Sequence, residues 1–422
     1  MKTSRSLLIV LLGASLALGA CSKKSKGGDE TPSTATSPET NGSTDTPNET
    51  TAETTGSATP TAPGKVEYKV DPTVIAAVDA LLKGCPDKLS GFDQPDFKCK
   101  EPREAFRKFM YDKRFDSFET LVSLFVGDDE TKSRLAGWAL NTYTRSYIRD
   151  AEKDKSKARP EVVAALTAKI VEQDPTKTYR AQNGMAIAVL LNGILGKSDV
   201  AIATIKHFDP AKDMRTRWAH TSGLPHVMTY ARMAGFDFVK EQAESAESTV
   251  MSSAFSAPRA MNSWTEEEET TICTWAESKL GEEKKKGHPA YILLNCKRSK
   301  DKYRPMIIDE AKKRAAANTL DTHMTQALRD VCYTMPSKER EGDAQCARVK
   351  TLLTLVLKDK KADAFVRTTA LSSLAWVWPT PEHLKLAQEY AKHPDKKIAK
   401  SAELTAKTLG KRIETMKKLK RK

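Results

Sequence analysis

The chain has 422 residues, with 69 lysines and arginines against 55 aspartates and glutamates, a formal net charge of +14. Residues 1–65 carry equal numbers of basic and acidic side chains, so the whole excess falls on residues 66–422. Beyond the first segment no apolar run reaches the roughly 18 residues a membrane span needs, which excludes a polytopic membrane protein. A basic segment of that length suits either an anionic partner or a solvated, charge-rich helical surface.

The first segment has the parts of an export signal. Lys2 and Arg5 supply positive charge, Leu7 to Leu18 form an apolar stretch, and Leu18-Gly19-Ala20-Cys21 places small residues at a cleavage point. A plain export signal ending at Ala20 is one reading. The tetrapeptide resembles the lipobox of bacterial lipoproteins, and that resemblance implies cleavage before Cys21 and a diacylglycerol thioether on its sulfur. Acyl chains hold a protein to a membrane because each buried methylene contributes ~0.8 kcal/mol. Ser22 after the cysteine is what the same resemblance associates with outer-membrane sorting, with a periplasmic or a surface face both open.

From Ser22 to Lys65 there is no valine, leucine, isoleucine, methionine or aromatic residue. Such a segment has no apolar area to offset the entropy of ordering, so residues 21–65 are expected to form a disordered tether behind the lipid. A flexible chain of this length has a reach of roughly 35–40 Å.

Beyond residue 66 the pattern is helical. Val74, Ile75, Val78, Leu81 and Leu82 share one helical face, as do Val162, Val163, Leu166, Ile170 and Val171. Long β-branched alternations are missing, which argues against a sheet. Polar breaks such as Gly127-Asp128-Asp129 and His393-Pro394-Asp395 separate the helices.

A second pattern overlies the first. Asp363 is followed by Val366, Arg367, Ala370, Leu371 and Leu374, and similar runs begin at Asp213, Asp321 and Asp395. Weaker echoes surround Arg134 and Arg180. The acid is expected to cap a helix, the arginine to pair with an acid on a neighbouring unit, and the small residues to let helices approach. Arg134, Arg180, Arg217 and Arg367 lie 46, 37 and 150 residues apart, the last near four times 37. Spacing of this order on helix pairs is what a helical solenoid requires.

At these residues the chain resembles HEAT repeats, most clearly over 352–410, less over 116–223 and poorly over 224–320. The resemblance implies an all-α fold, an α-solenoid of helical hairpins covering residues 66–422, with six to nine repeats. A tetratricopeptide array and an irregular helical bundle are the alternatives.

Six cysteines remain after Cys21, an even set that usually pairs in an exported chain. Their order suggests three local bridges, Cys85–Cys99, Cys273–Cys296 and Cys332–Cys346. No Cys-x-x-Cys pair is present, and His288 and His323 do not fall at zinc-ligand spacing, so neither a metal nor a cofactor is expected.

Signatures of catalysis are missing: no Gly-x-Ser-x-Gly, Gly-x-Gly-x-x-Gly, His-Glu-x-x-His or phosphate-binding loop occurs. Ser299 and Lys302 match Ser-x-x-Lys, which a lysine-rich chain makes by chance. The expectation is a protein that is not an enzyme. Arg215, Arg217, Trp218, His220 and His226 form the one local cluster with binding character, although such residues also pack helix ends. Trp376 and Trp378 are either a binding anchor or core. The C-terminal run with Lys417, Lys418 and Lys420 reads as a basic amphipathic helix, able to lie on an anionic surface or simply to close the last repeat. Together these readings imply a lipid-anchored scaffold of the cell envelope that holds another envelope protein. The alternative is a charge-driven adaptor for an anionic envelope polymer or lipid. The exported address argues against nucleic acid.

Overall fold

The computed structural model describes residues 66–420, apart from 86–88, 90–92, 96, 97 and 334. The signal segment 1–20, Cys21 and the tether lie outside the described residues, and of Lys420 only the backbone is described.

The described chain is all-helical, as expected, and contains no strand. The helices are α1 (Pro72–Gly84), α2 (Lys100–Lys113), α3 (Phe118–Val126), α4 (Glu130–Lys153), α5 (Pro160–Glu172), α6 (Tyr179–Ile194) and α7 (Ser198–Lys206). There follow α8 (Met214–Ala231), α9 (Phe236–Ala243), α10 (Ser248–Ser256), α11 (Glu266–Lys279), α12 (His288–Leu293) and α13 (Lys300–Ala316). The last are α14 (Thr322–Tyr333), α15 (Ser337–Gly342), α16 (Ala344–Lys358), α17 (Ala364–Val377), α18 (Pro381–Tyr390) and α19 (Lys396–Lys420).

From α3 onward the helices pair as neighbours: α3 with α4, α5 with α6, α7 with α8, α9 with α10, α11 with α12, α13 with α14, α16 with α17 and α18 with α19. The second members of these pairs also touch in succession, α4 on α6, α6 on α8, and so on to α17 on α19. They begin at residues 130, 179, 214, 248, 288, 322, 364 and 396, intervals of 32 to 49 residues. We call these the inner helices, a label for their place in the pairs alone.

Acidic caps set where most inner helices begin. Asp129 accepts from the Lys132 amide at 3.0 Å and Asp213 from the Thr216 amide at 2.8 Å. Asp321 accepts from the Met324 amide at 3.0 Å, Asp363 from the Phe365 amide and Asp395 from the Lys397 amide, both at 2.8 Å. Each satisfies an amide with no helical partner and places negative charge at the positive end of the helix.

The expected arginine pairing is realised unevenly. Arg217 reaches Glu247 at 3.4 Å and Arg134 reaches Asp93 at 2.7 Å. Arg180 donates instead to the Ser133 hydroxyl at 3.1 Å, and Arg367 to the Tyr390 hydroxyl at 2.8 Å. At those two places the neighbouring helix presents an oxygen without charge.

Pro225 lies inside α8 and lacks the amide that would donate to the Thr221 carbonyl. The Ser253 hydroxyl of α10 donates to that carbonyl in its place, so a break in one helix becomes a tie to the next.

Two of the expected disulfides are formed. Cys273–Cys296 joins α11 to the end of α12, and Cys332–Cys346 joins α14 to α16 around α15. The third is not: no disulfide joins Cys85, buried at the end of α1, to Cys99, half-buried before α2. Much of the intervening segment that would set their approach lies outside the described residues.

Candidate functional site

The sequence cluster at the start of α8 is dispersed by the helix across several environments. Arg215 donates to the Thr176 carbonyl at 3.0 Å and lies over the Tyr179 ring, and Arg217 holds the Pro210 carbonyl at 3.1 Å. These two arginines tie the helix start to the preceding turns. His220 is buried, with one ring nitrogen against the Phe208 carbonyl at 3.0 Å and the other against Gln242 Oε1 at 2.9 Å. It packs the junction of α8 and α9. His226, two turns further on, is held well below the usual histidine range, to about 4, by burial. Trp218 alone is left open, 58 % exposed.

Trp218 stands at one wall of a groove of about 530 Å³ that crosses α8, α10, the start of α12 and the start of α14. Thr221 and Ser222 of α8 and Ser248, Thr249, Ser252, Ser253 and Ser256 of α10 supply its hydroxyls. The far wall is Lys286, His288 and His323, and no carboxylate lines it.

The local folding explains this wall. Gly287 runs so close to the start of α14 that an added Cβ would lie 2.0 Å from the Met324 amide nitrogen. That approach brings the His288 and His323 rings into tilted contact, centroids 4.1 Å apart and planes at 43°, with His288 also stacked on Phe255. Burial first, and then His323, pushes His288 down to about 4, and burial lowers His323 as well. At neutral pH both rings are therefore uncharged, and Lys286 is the one full charge in the groove.

The hydroxyl protons are mostly committed. Thr221 donates to the Trp218 carbonyl at 3.0 Å, Ser222 to the Ala219 carbonyl at 2.9 Å and Ser256 to the Ser252 carbonyl at 2.9 Å. Their oxygens keep free lone pairs, so this wall accepts hydrogen bonds from a ligand more readily than it donates them. No described hydroxyl of the groove hydrogen-bonds to either histidine, so no serine–histidine pair is set. Among the described residues no group of three histidine, cysteine or acidic side chains is placed to hold a metal.

Aromatic contacts continue along the later inner helices, here with charged groups beside them. The Tyr291 hydroxyl of α12 donates to Gln326 of α14 at 2.8 Å, and Tyr333 of α14 meets Trp376 of α17 edge to face. Trp376 then borders a second hollow of about 250 Å³ with Ser372, Ser401, Leu404, Thr405, Thr408 and Arg412. Trp376 is 39 % exposed, and its ring carries the Arg412 guanidinium at 4.7 Å. Trp378 is half-buried and packs against the core.

Of the C-terminal lysines, Lys417 and Lys418 are exposed on α19. Reasoning from the sequence missed most of the groove. The signal was the serine spacing at 248, 252 and 256 on one helix face, in a stretch where the repeat resemblance is poorest.

No protein-family model matches the chain, and no curated protein matches it. No described helix is long and apolar enough to cross a membrane.

Proposed function

We propose that this protein is a lipid-anchored binding protein of the bacterial cell envelope, a HEAT-like α-solenoid that holds another envelope protein without catalysing a reaction. The supporting observation is the succession of inner helices, α4 to α19, each packed on the next, with a groove across α8, α10, α12 and α14 that carries hydroxyls, an exposed tryptophan and a single full charge. On a segment with a net charge of +14, that concentration of neutral groups sets the groove apart. Solenoids of this kind bind along extended surfaces, and exposed tryptophans such as Trp218 and Trp376 are the anchors that dominate protein interfaces. In this reading the lipid on Cys21 sets the address and residues 21–65 set the reach, while the solenoid supplies recognition.

The test is site-specific photocrosslinking in the native envelope. A crosslinker at Trp218 or Trp376 should capture one envelope protein, whereas one at Lys312 on the exposed side of α13 should not. Equal capture from all three positions, or none from the tryptophans, would refute the reading. Replacement of Cys21 by alanine should release the protein from membranes and abolish labelling by palmitate.

A second reading, an adaptor for an anionic envelope polymer or lipid, is favoured by the exposed Lys417 and Lys418 on α19. Charge-driven capture should collapse between low and moderate salt, and capture through the groove should not.

A further inference from the structure

A recess of about 480 Å³ lies where the turns after α10 and α12 meet the start of α11. Arg259, Asn262, Ser263 and Trp264 line one side, and Glu269, Asn295, Lys297 and Arg298 the other.

Its walls are held in place. The Trp264 indole donates to the Pro258 carbonyl at 3.0 Å, and Arg232 at the end of α8 donates to the Ser263 carbonyl at 2.9 Å. The opposite turn is fixed by Cys273–Cys296 and by the Asn295 amide, which donates to the Tyr291 carbonyl at 2.6 Å. Glu269 is 6 % exposed, and its two oxygens accept from the Arg298 amide at 2.6 Å and the Arg298 guanidinium at 2.7 Å.

The charges do not balance. Three cations meet one carboxylate, and that carboxylate is already taken by Arg298. Arg259 and Lys297 are both exposed and form no ion pair among the described residues, whereas Arg232, which holds the Ser263 carbonyl of the same wall, is paired with Glu268. The volume is that of a small-molecule site, too small for the flank of a long polymer. A guanidinium fork beside an ammonium matches a compact, multiply charged oxyanion.

We infer that this recess binds a phosphate ester group, with Arg259 and Lys297 as its principal contacts, Arg298 as the third and Glu269 as the residue that positions Arg298. The site shares no residue with the inner groove and stands or falls independently of it.

The test is calorimetric titration of the full chain with inorganic pyrophosphate at low salt. The expected result is saturable one-to-one binding that weakens by roughly tenfold for each cation removed in R259Q and K297Q. Binding by K417Q/K418Q, which removes the same charge from α19, should equal that of the parent. Melting curves of R259Q and K297Q should overlay the parent, since both side chains are exposed. Absence of saturable binding, unchanged binding in R259Q/K297Q, equal loss in K417Q/K418Q, or equally tight binding of acetate would each overturn the inference. Competition by phosphatidic acid vesicles would assign the phosphate to a lipid headgroup, and failure to compete would assign it to a soluble ester; both outcomes support the site.

Discussion

Arg304 and Asp343 form a two-pronged pair between α13 and the start of α16, with guanidinium nitrogens 3.0 and 2.9 Å from the two carboxylate oxygens. Asp343 also accepts from the Cys346 amide at 2.8 Å, so one carboxylate both caps α16 and fixes the residue that carries a disulfide. Arg304 is 7 % exposed, and removing its partner leaves a charge with little access to water. Replacement of Asp343 by alanine should therefore destabilise the fold by about 3 kcal/mol, read from the urea midpoint. An Arg304→Met, Asp343→Leu double variant should recover part of that loss, because it leaves neither charge buried but still lacks the cap of α16. Arg304 holds the Asp343 carboxyl below its ordinary range. Its contribution is thus present above the ordinary aspartate value, and disappears as the pH falls below that value toward the folded one.

His288 supplies a second pH dependence, in a different window. Its folded value of about 4 lies below the ordinary histidine value of 6.5, so between those limits the unfolded chain binds the extra proton. Stability should fall as the pH drops from about 6.5 to 4, by on the order of 2 kcal/mol from this group. Urea titrations across that range should show a shallower slope for His288→Gln. His226, lowered to about 4, and His323, also lowered by burial, should contribute to the remaining slope.

Gly287 should tolerate no side chain. The atoms an added Cβ would meet, the Met324 amide nitrogen at 2.0 Å and the His323 carbonyl carbon at 2.5 Å, belong to the backbone and cannot rotate away. Replacement by alanine should cost roughly 3 kcal/mol or more and separate α12 from α14. Gly281→Ala, where nothing lies within 4 Å, is the control and should melt like the parent.

The disulfides should carry measurable and separable stability. Cys332–Cys346 closes a separation of 14 residues and Cys273–Cys296 one of 23. Chain entropy gives about 3 kcal/mol for the first and about 3.5 kcal/mol for the second. Paired Cys→Ala replacements, unfolded in urea without reductant, should show losses in that order.

The parts of this fold that follow from local chemistry were legible in the sequence. Asp213, Asp321, Asp363 and Asp395 announce helix starts because a carboxylate at that position meets orphan amides within the next three residues. Short separation pointed to three cysteine pairs and two of them are formed; Cys85 and Cys99, 14 residues apart like Cys332 and Cys346, show that separation alone does not decide pairing. The stretch 224–320 was not legible as helix pairs, because α10 and α12 are only nine and six residues long and give too few turns for a periodic apolar face. The tie between Pro225 and Ser253 was hidden because it joins a carbonyl on one helix to a hydroxyl on another. The groove and the recess depend on residues 35 or more positions apart, such as His288 with His323 and Arg259 with Lys297, that nothing local relates. Within the cluster that runs from Arg215 to His226, Trp218 is exposed on the groove wall, whereas His220 is spent on packing.

Both disulfides among the described residues lie between residues 273 and 346, and helices that lean mainly on their immediate neighbours loosen first at the ends of such a series. Gentle heating in the presence of a protease should therefore trim the domain from both flanks. The last resistant fragment should be the clamped middle, roughly α11 to α16. That fragment retains Lys297, Arg298 and Glu269 but loses Arg259, Trp218 and Trp376, so both surfaces should be lost while the clamped middle is still folded.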